Sequence, residues 1–100
     1  MKSGIELIAK ERKTSDEVIN ALNREGHLTS NSQIVLMAVT YALPDKDYGT
    51  GANSCKLKLT RMHFWPWHQS WFSKHNRIKE LAKAGALIAA EIDRLQNQKP

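Results

Sequence analysis

Apolar side chains recur at helical spacing over much of this chain, and the breaks in that spacing fall where turn-forming residues cluster. Ser3-Gly4-Ile5-Glu6 has the S-x-x-E spacing of a capping box, in which the serine accepts from the third helical residue, so a helix is expected to start there. Ile5, Leu7 and Ile8 carry it to about Lys13. Thr14-Ser15-Asp16-Glu17 then offers a second capping signal, and the helix either restarts there or runs through. Val18, Ile19 and Leu22 continue at one-turn spacing, and Gly26 is placed to stop the helix, because glycine tolerates the left-handed conformation of a C-terminal cap. His27 to Asn31 reads as a turn.

Residues 32 to 43 are apolar on nearly every face, and their length together with Met37-Ala38 favours a buried helix over a strand. Pro44 ends that element, since it disfavours helical geometry in the residue before it. Asp45 to Asn53 has loop chemistry, and Lys56 to Met62 alternates polar and apolar residues as an edge strand or extended arm would. Phe64-Trp65-Pro66-Trp67 with Trp71-Phe72 holds five of the seven aromatics within nine residues, and Pro66 makes this a corner and not a helix interior. The final element is the most regular. Behind Asn76 as N-cap, Ile78, Leu81, Gly85, Ile88, Ile92 and Leu95 follow a 3,4,3,4,3 spacing, a stripe expected to be buried against other helices, with Ala84 and Leu87 widening the buried face.

These elements predict a mainly α fold of one domain over residues 1–100: a three- or four-helix bundle with a long C-terminal helix as its spine. An irregular central loop between Leu43 and His63 leaves room for a short β hairpin.

A chain of 100 residues is one domain's worth, too short for a substrate domain plus a cofactor domain. No apolar run approaches the roughly 20 residues that span a bilayer, and the first residues lack the h-region of a signal peptide, so no membrane partner and a cytoplasmic location in the host cell are expected. The one cysteine, Cys55, cannot form an internal disulfide, which fits a reducing compartment. Charge is unevenly spread. Residues 1–50 carry six basic and seven acidic side chains, and residues 51–100 carry nine and three. Between Lys56 and Lys83, seven cations face only Glu80, a composition that suits an anionic partner.

Ser3-Gly4-Ile5-Glu6-Leu7-Ile8-Ala9-Lys10-Glu11-Arg12, then Trp65-Pro66-Trp67, Trp71 and Lys83-Ala84-Gly85-Ala86-Leu87-Ile88-Ala89-Ala90-Glu91-Ile92-Asp93-Arg94-Leu95, resemble a family of small bacteriophage and prophage proteins of uncharacterised function. The resemblance covers about half of the chain and implies a phage-related origin without an activity. In that family the first helix is followed by Glu-Gly-Trp and an acidic, histidine-rich turn. Here Glu25-Gly26-His27 keeps the first two residues, and Leu28 to Ile34 has neither an acid nor a second histidine, which puts any metal or hydrolase role of that turn in doubt.

Chemistry-bearing motifs are sparse. His63, His68 and His75 lie within thirteen residues, yet no spacing places two imidazoles on one helical face, and no Cys-x-x-Cys or His-Glu-x-x-His occurs. Close carboxylates lack the Glu-x-x-Glu spacing of magnesium-dependent helical hydrolases, and Gly49-Thr50-Gly51 lacks the lysine of a phosphate loop. No catalytic site, no metal and no cofactor is therefore expected. The residues assigned to binding are Trp65, Trp67 and Trp71 with Arg61, Lys74, Arg77 and Lys79, because large rings and guanidinium groups dominate interface hot spots and because bases stack on the same rings while cations follow phosphates. The leading expectation is a non-enzymatic phage accessory protein that binds a host or phage protein complex, inhibition of a host defence system being one instance. The alternatives are a nucleic-acid-binding module using the basic aromatic 56–83 face and a degenerate nucleotide-processing, pyrophosphohydrolase-like protein. Two copies could also pair through the 78–95 stripe.

Overall fold

The computed structural model describes residues 1–43, 64–68, 71–72 and 75–98. The expected loop at Asp45 to Asn53, the extended arm at Lys56 to Met62 and any hairpin between Leu43 and His63 lie outside the described residues, as do Arg61, His63 and Lys74. The described residues form three helices: α1 (Gly4–Arg24), α2 (Ser32–Ala42) and α3 (Arg77–Gln96). Among the described residues there is no strand.

Each helix begins and ends where its local chemistry dictates. Ser3 Oγ accepts from the Glu6 amide at 3.2 Å, which satisfies one of the free N–H groups at the start of α1. The second capping signal is overridden: α1 runs unbroken through Thr14 to Glu17, and Ser15 is buried in its middle. At its end Gly26 takes φ 77°. The His27 amide donates to Leu22 O at 2.9 Å and the Gly26 amide to Asn23 O at 3.2 Å, the pair of bonds that closes a Schellman cap. The turn to α2 is tied by Gln33 Oε1, which accepts from the Thr29 and Ser30 amides. At the end of α2, Leu43 has swung to φ −68°, ψ 141°, the extended geometry that the ring of Pro44 imposes on its predecessor.

The helix α3 is the common partner, with α1 on one flank and α2 on the other. Neighbouring residues give the directions. Gly4 and Leu7 lie by Ile78 and Leu81, whereas Asp16 and Asn23 lie by the last turns of α3, so α1 runs alongside α3 in the same sense. Arg77 at the start of α3 meets the end of α2, so α2 runs antiparallel to it. The core joins Ile34, Met37, Ala38 and Tyr41 of α2 to Ala84 and Leu87 of α3, with Ile19, Leu22 and Leu28 packed against it. Thr40, fully buried in α2, returns its hydroxyl to Leu36 O at 2.8 Å and so brings no unpaired donor into that core.

The orientation of α3 differs from the expectation drawn from its 3,4,3,4,3 stripe. Ile78, Leu81, Ile88, Ile92 and Leu95 are between 47% and 67% exposed, and the face turned inward is instead Glu80, Ala82, Ala84, Ala86 and Leu87. Side-chain size explains the difference. Ala82, Ala84 and Ala86 leave room for α1 and α2 to approach α3 closely on two flanks, whereas branched residues would hold them off. Gly85 is where α1 comes closest to the stripe: a Cβ placed there would lie 2.6 Å from Ile8 Cδ1.

Candidate binding surface

The aromatic corner lies along α2, from Tyr41 near its end to His27 in the turn before its start. Tyr41 stacks on Phe72 with centroids 5.2 Å apart, and the Trp65 ring meets Tyr41, Phe72 and Trp67 edge to face at 6.0, 5.1 and 5.4 Å. These are the offset and perpendicular arrangements that ring quadrupoles favour. Trp65, Trp67 and Phe72 pack against the core and are partly buried. Their polar atoms are placed as carefully as their rings. Trp65 Nε1 donates to His68 O at 3.1 Å, and Trp67 Nε1 donates to His27 O at 3.0 Å, joining the corner to the turn after α1.

Trp71 is differently placed. It is 47% exposed, and its ring meets that of His27 edge on at 4.8 Å. A cavity of about 190 Å³ opens beside it, lined by Leu22, Met37, Tyr41, Trp67, Trp71 and His75 among others. That volume is comparable to the roughly 150 Å³ of an apolar cavity that holds one benzene ring. His75 titrates below its ordinary value, because burial disfavours its charged form and the Lys83 and Lys79 ammonium groups oppose a further positive charge. The cavity lining is mainly apolar, with His75 and Lys83 as its polar members.

The cations of the expected binding face do different things. The guanidinium of Arg77 lies across the end of α2: Nη1 donates to Tyr41 O at 3.1 Å and Leu43 O at 2.9 Å, and Nη2 donates to Ala42 O. It thus supplies donors to carbonyls at the C-terminal end of α2, where a helix has no following amides of its own to offer. Arg77 also faces Glu80 at 3.5 Å, and Glu80, 1% exposed, accepts from the His75 amide at 3.2 Å. Lys83 lies 3.9 Å from Glu11, with both side chains mostly covered. Lys79 is exposed. Of the expected binding residues that are described, Trp71 and Lys79 present themselves to solvent, Trp65 and Trp67 hold the corner together, and Arg77 holds the end of α2.

Two features of this surface were not singled out from the sequence: the part of His27 as an acceptor and ring partner, and the cavity itself. The resemblance to a family with Glu-Gly-Trp after the first helix did draw attention to His27, but only as a departure. A larger depression of about 530 Å³ lies at the other end of the bundle, between Asp16, Asn31 and the last turns of α3. Its charges are joined in pairs, Arg12 with Asp16 and Asp93, and Arg94 with Glu91. Among the described residues no group of three or more His, Cys, Asp or Glu side chains could hold a metal ion, and no helix is long and apolar enough to cross a membrane.

No family model matches the chain, and no curated protein or solved structure does so either.

Proposed function

We propose that this is a non-enzymatic accessory protein of phage type that binds a macromolecule of the host or the phage, most plainly a protein, through the exposed edge of its aromatic corner. Inhibition of a host defence system is one instance of such a role. The observation that carries the reading is Trp71, a large ring half in solvent beside a mainly apolar cavity, with its edge against the His27 ring. A preorganised tryptophan next to a pocket of one-ring size is the arrangement from which interface hot spots are built, because much area is covered on binding with little entropy left to lose. The chemistry of the site favours a partner that inserts an apolar or aromatic side chain.

The nucleic-acid alternative has less support among the described residues. Arg77 is engaged with backbone carbonyls and Lys83 faces Glu11, so of the described cations in the 56–83 segment Lys79 is the one left open for phosphate.

The test is capture from host lysate by wild type, Trp71→Ala and Lys79→Glu, with nuclease treatment and washes at low and high salt. Trp67 and Arg77 are avoided because they hold the fold. A protein retained by wild type at high salt and lost from folded Trp71→Ala supports the reading. Recovery of nuclease-sensitive material alone, lost at high salt and from Lys79→Glu, replaces it with the nucleic-acid reading, since phosphate contacts weaken steeply with ionic strength.

A further inference from the structure

The cavity beside Trp71 carries polar groups in its wall that the fold itself leaves unused. The backbone amide of His75 donates to Glu80 at 3.2 Å, but among the described residues its imidazole has no hydrogen-bond partner. That ring is mostly covered and lines the cavity. Burial, Lys83 and Lys79 disfavour its charge, so near pH 7 it offers one bare nitrogen and one N–H. Trp71 completes the set. Trp65 and Trp67 give their ring N–H groups to the carbonyls of His68 and His27, whereas Trp71 Nε1 donates to none of the described residues. Lys83 also lines the cavity but is directed to Glu11 at 3.9 Å, so selection falls to His75 and Trp71.

We infer that the cavity receives a tyrosine side chain of the partner protein, its hydroxyl donating to the His75 imidazole and accepting from Trp71 Nε1. This names the group that the binding surface proposed above recognises, and it rests on that reading.

Size, polarity and wall chemistry each narrow the choice. At about 190 Å³ the cavity exceeds the roughly 150 Å³ that hold a benzene ring by little more than the room a hydroxyl needs, and the second ring of an indole would not be covered. Phenylalanine would cover the His75 nitrogens and the Trp71 N–H without giving either a partner, and an unmet polar group costs more than the bond it could have made contributes. A tryptophan N–H can donate to His75 but cannot accept from Trp71. A phenol hydroxyl does both. The walls favour a ring over an aliphatic chain, because Trp65, Trp67 and the Met37 thioether offer aromatic edges and a sulfur to pack on.

Titration of the full chain with p-cresol and with toluene, the side chains of tyrosine and phenylalanine without their backbones, tests this through the indole and amide NMR signals. Wild type should bind p-cresol in the millimolar range, with the Trp71 indole N–H and the His75 signals moving most, and toluene about fivefold more weakly. His75→Phe and Trp71→Phe keep a ring in the wall and remove the polar atom. Each, with unchanged helical circular dichroism, should reduce the preference for p-cresol, and His75→Gln, which restores a donor and an acceptor, should keep part of it. Toluene binding as tightly as p-cresol overturns the proposal, as do a preference that survives in both phenylalanine variants, shifts confined to residues away from the cavity, and no shift with either compound. The two readings fail separately. Equal binding of the two compounds removes the tyrosine and leaves the broader reading to lysate capture, whereas a p-cresol preference in a protein that captures nothing removes the partner and with it the tyrosine.

Discussion

The Trp67 ring nitrogen donates to the carbonyl of His27 at 3.0 Å, a bond between residues 40 apart in the chain that ties the aromatic corner to the cap of α1. The same turn carries the ring that Trp71 packs against, so the bond positions the proposed binding edge without being part of it.

Trp67→Phe keeps a ring in place and removes the donor. It should cost about 1 kcal/mol, the ordinary net worth of one such bond, measured by urea unfolding. It should also loosen Trp71, seen as a red shift and faster quenching of tryptophan fluorescence. An unchanged spectrum of the remaining tryptophans would mean that the corner is held by ring packing alone.

Gly85→Ala sets two effects against each other. Alanine gains up to about 1 kcal/mol of helix propensity, while its methyl group would lie 2.6 Å from Ile8 Cδ1 and 2.8 Å from Ile8 Cγ1 and force that side chain aside. Overpacking of this kind typically costs about 1 to 3 kcal/mol, so the single variant should melt below wild type. In an Ile8→Ala background the clash is gone, and Gly85→Ala should become stabilising. A sign that does not reverse between the two backgrounds would show that Ile8 is not the obstacle.

Arg77→Met removes the cation from the end of α2 and leaves Glu80, 1% exposed, without it. A buried carboxylate that loses a nearby cation is costly. Because Arg77 is itself 30% exposed and Glu80 keeps the His75 amide, the expected loss is about 2 kcal/mol and not the full cost of a sealed ion pair. Arg77→Lys should recover little of it, since an ammonium group cannot span the carbonyls of Tyr41, Ala42 and Leu43 as the planar guanidinium does. Adding Glu80→Gln to Arg77→Met should recover part of the loss, and chemical denaturation of the four variants measures the coupling.

His75 makes stability depend on pH in a defined direction. Its folded-state value lies below the 6.5 of a free imidazole, because of burial and the nearby Lys83 and Lys79. The unfolded chain therefore takes up the proton first as pH falls. The contribution of His75 is complete above 6.5, declines as pH drops through that value, and levels off below the folded value. Between about pH 7.5 and pH 5 wild type should lose more stability than His75→Gln, read as the change in urea midpoint. Equal losses would show that the imidazole is free to charge in the folded state.

The parts of the fold that could be read from the sequence are those governed by a few adjacent residues. Ser3 with Glu6, Gly26, Pro44 and Asn76 mark helix ends whatever surrounds them, because each acts on backbone groups within one turn. The continuity of α1 through Thr14 to Glu17 lay beyond that reach: two capping signals compete there, and burial of Ser15 in the assembled bundle decides between them. The heptad stripe of α3 was legible as a stripe, but not its direction. Periodicity records that one face is apolar, and which apolar face meets a neighbour depends on how closely α1 and α2 can approach, which is set by the alanines between. The binding residues divided for the same reason. Composition assembles tryptophans and arginines into one list, and only the path of the backbone separates Trp65, Trp67 and Arg77, whose polar atoms are satisfied inside the corner, from Trp71 and Lys79 at its edge.

The position of α3 between α1 and α2 also governs when the protein can acquire its structure. The first two helices rest on a third whose residues are synthesised after theirs, so a nascent chain that has completed α1 and α2 still lacks the helix against which both pack. Folding is thereby deferred until α3 has left the ribosome. A chain cut short before Arg77 would keep α1, α2 and the aromatic corner but lack the helix on which both helices rest, leaving their α3-facing sides open to proteases.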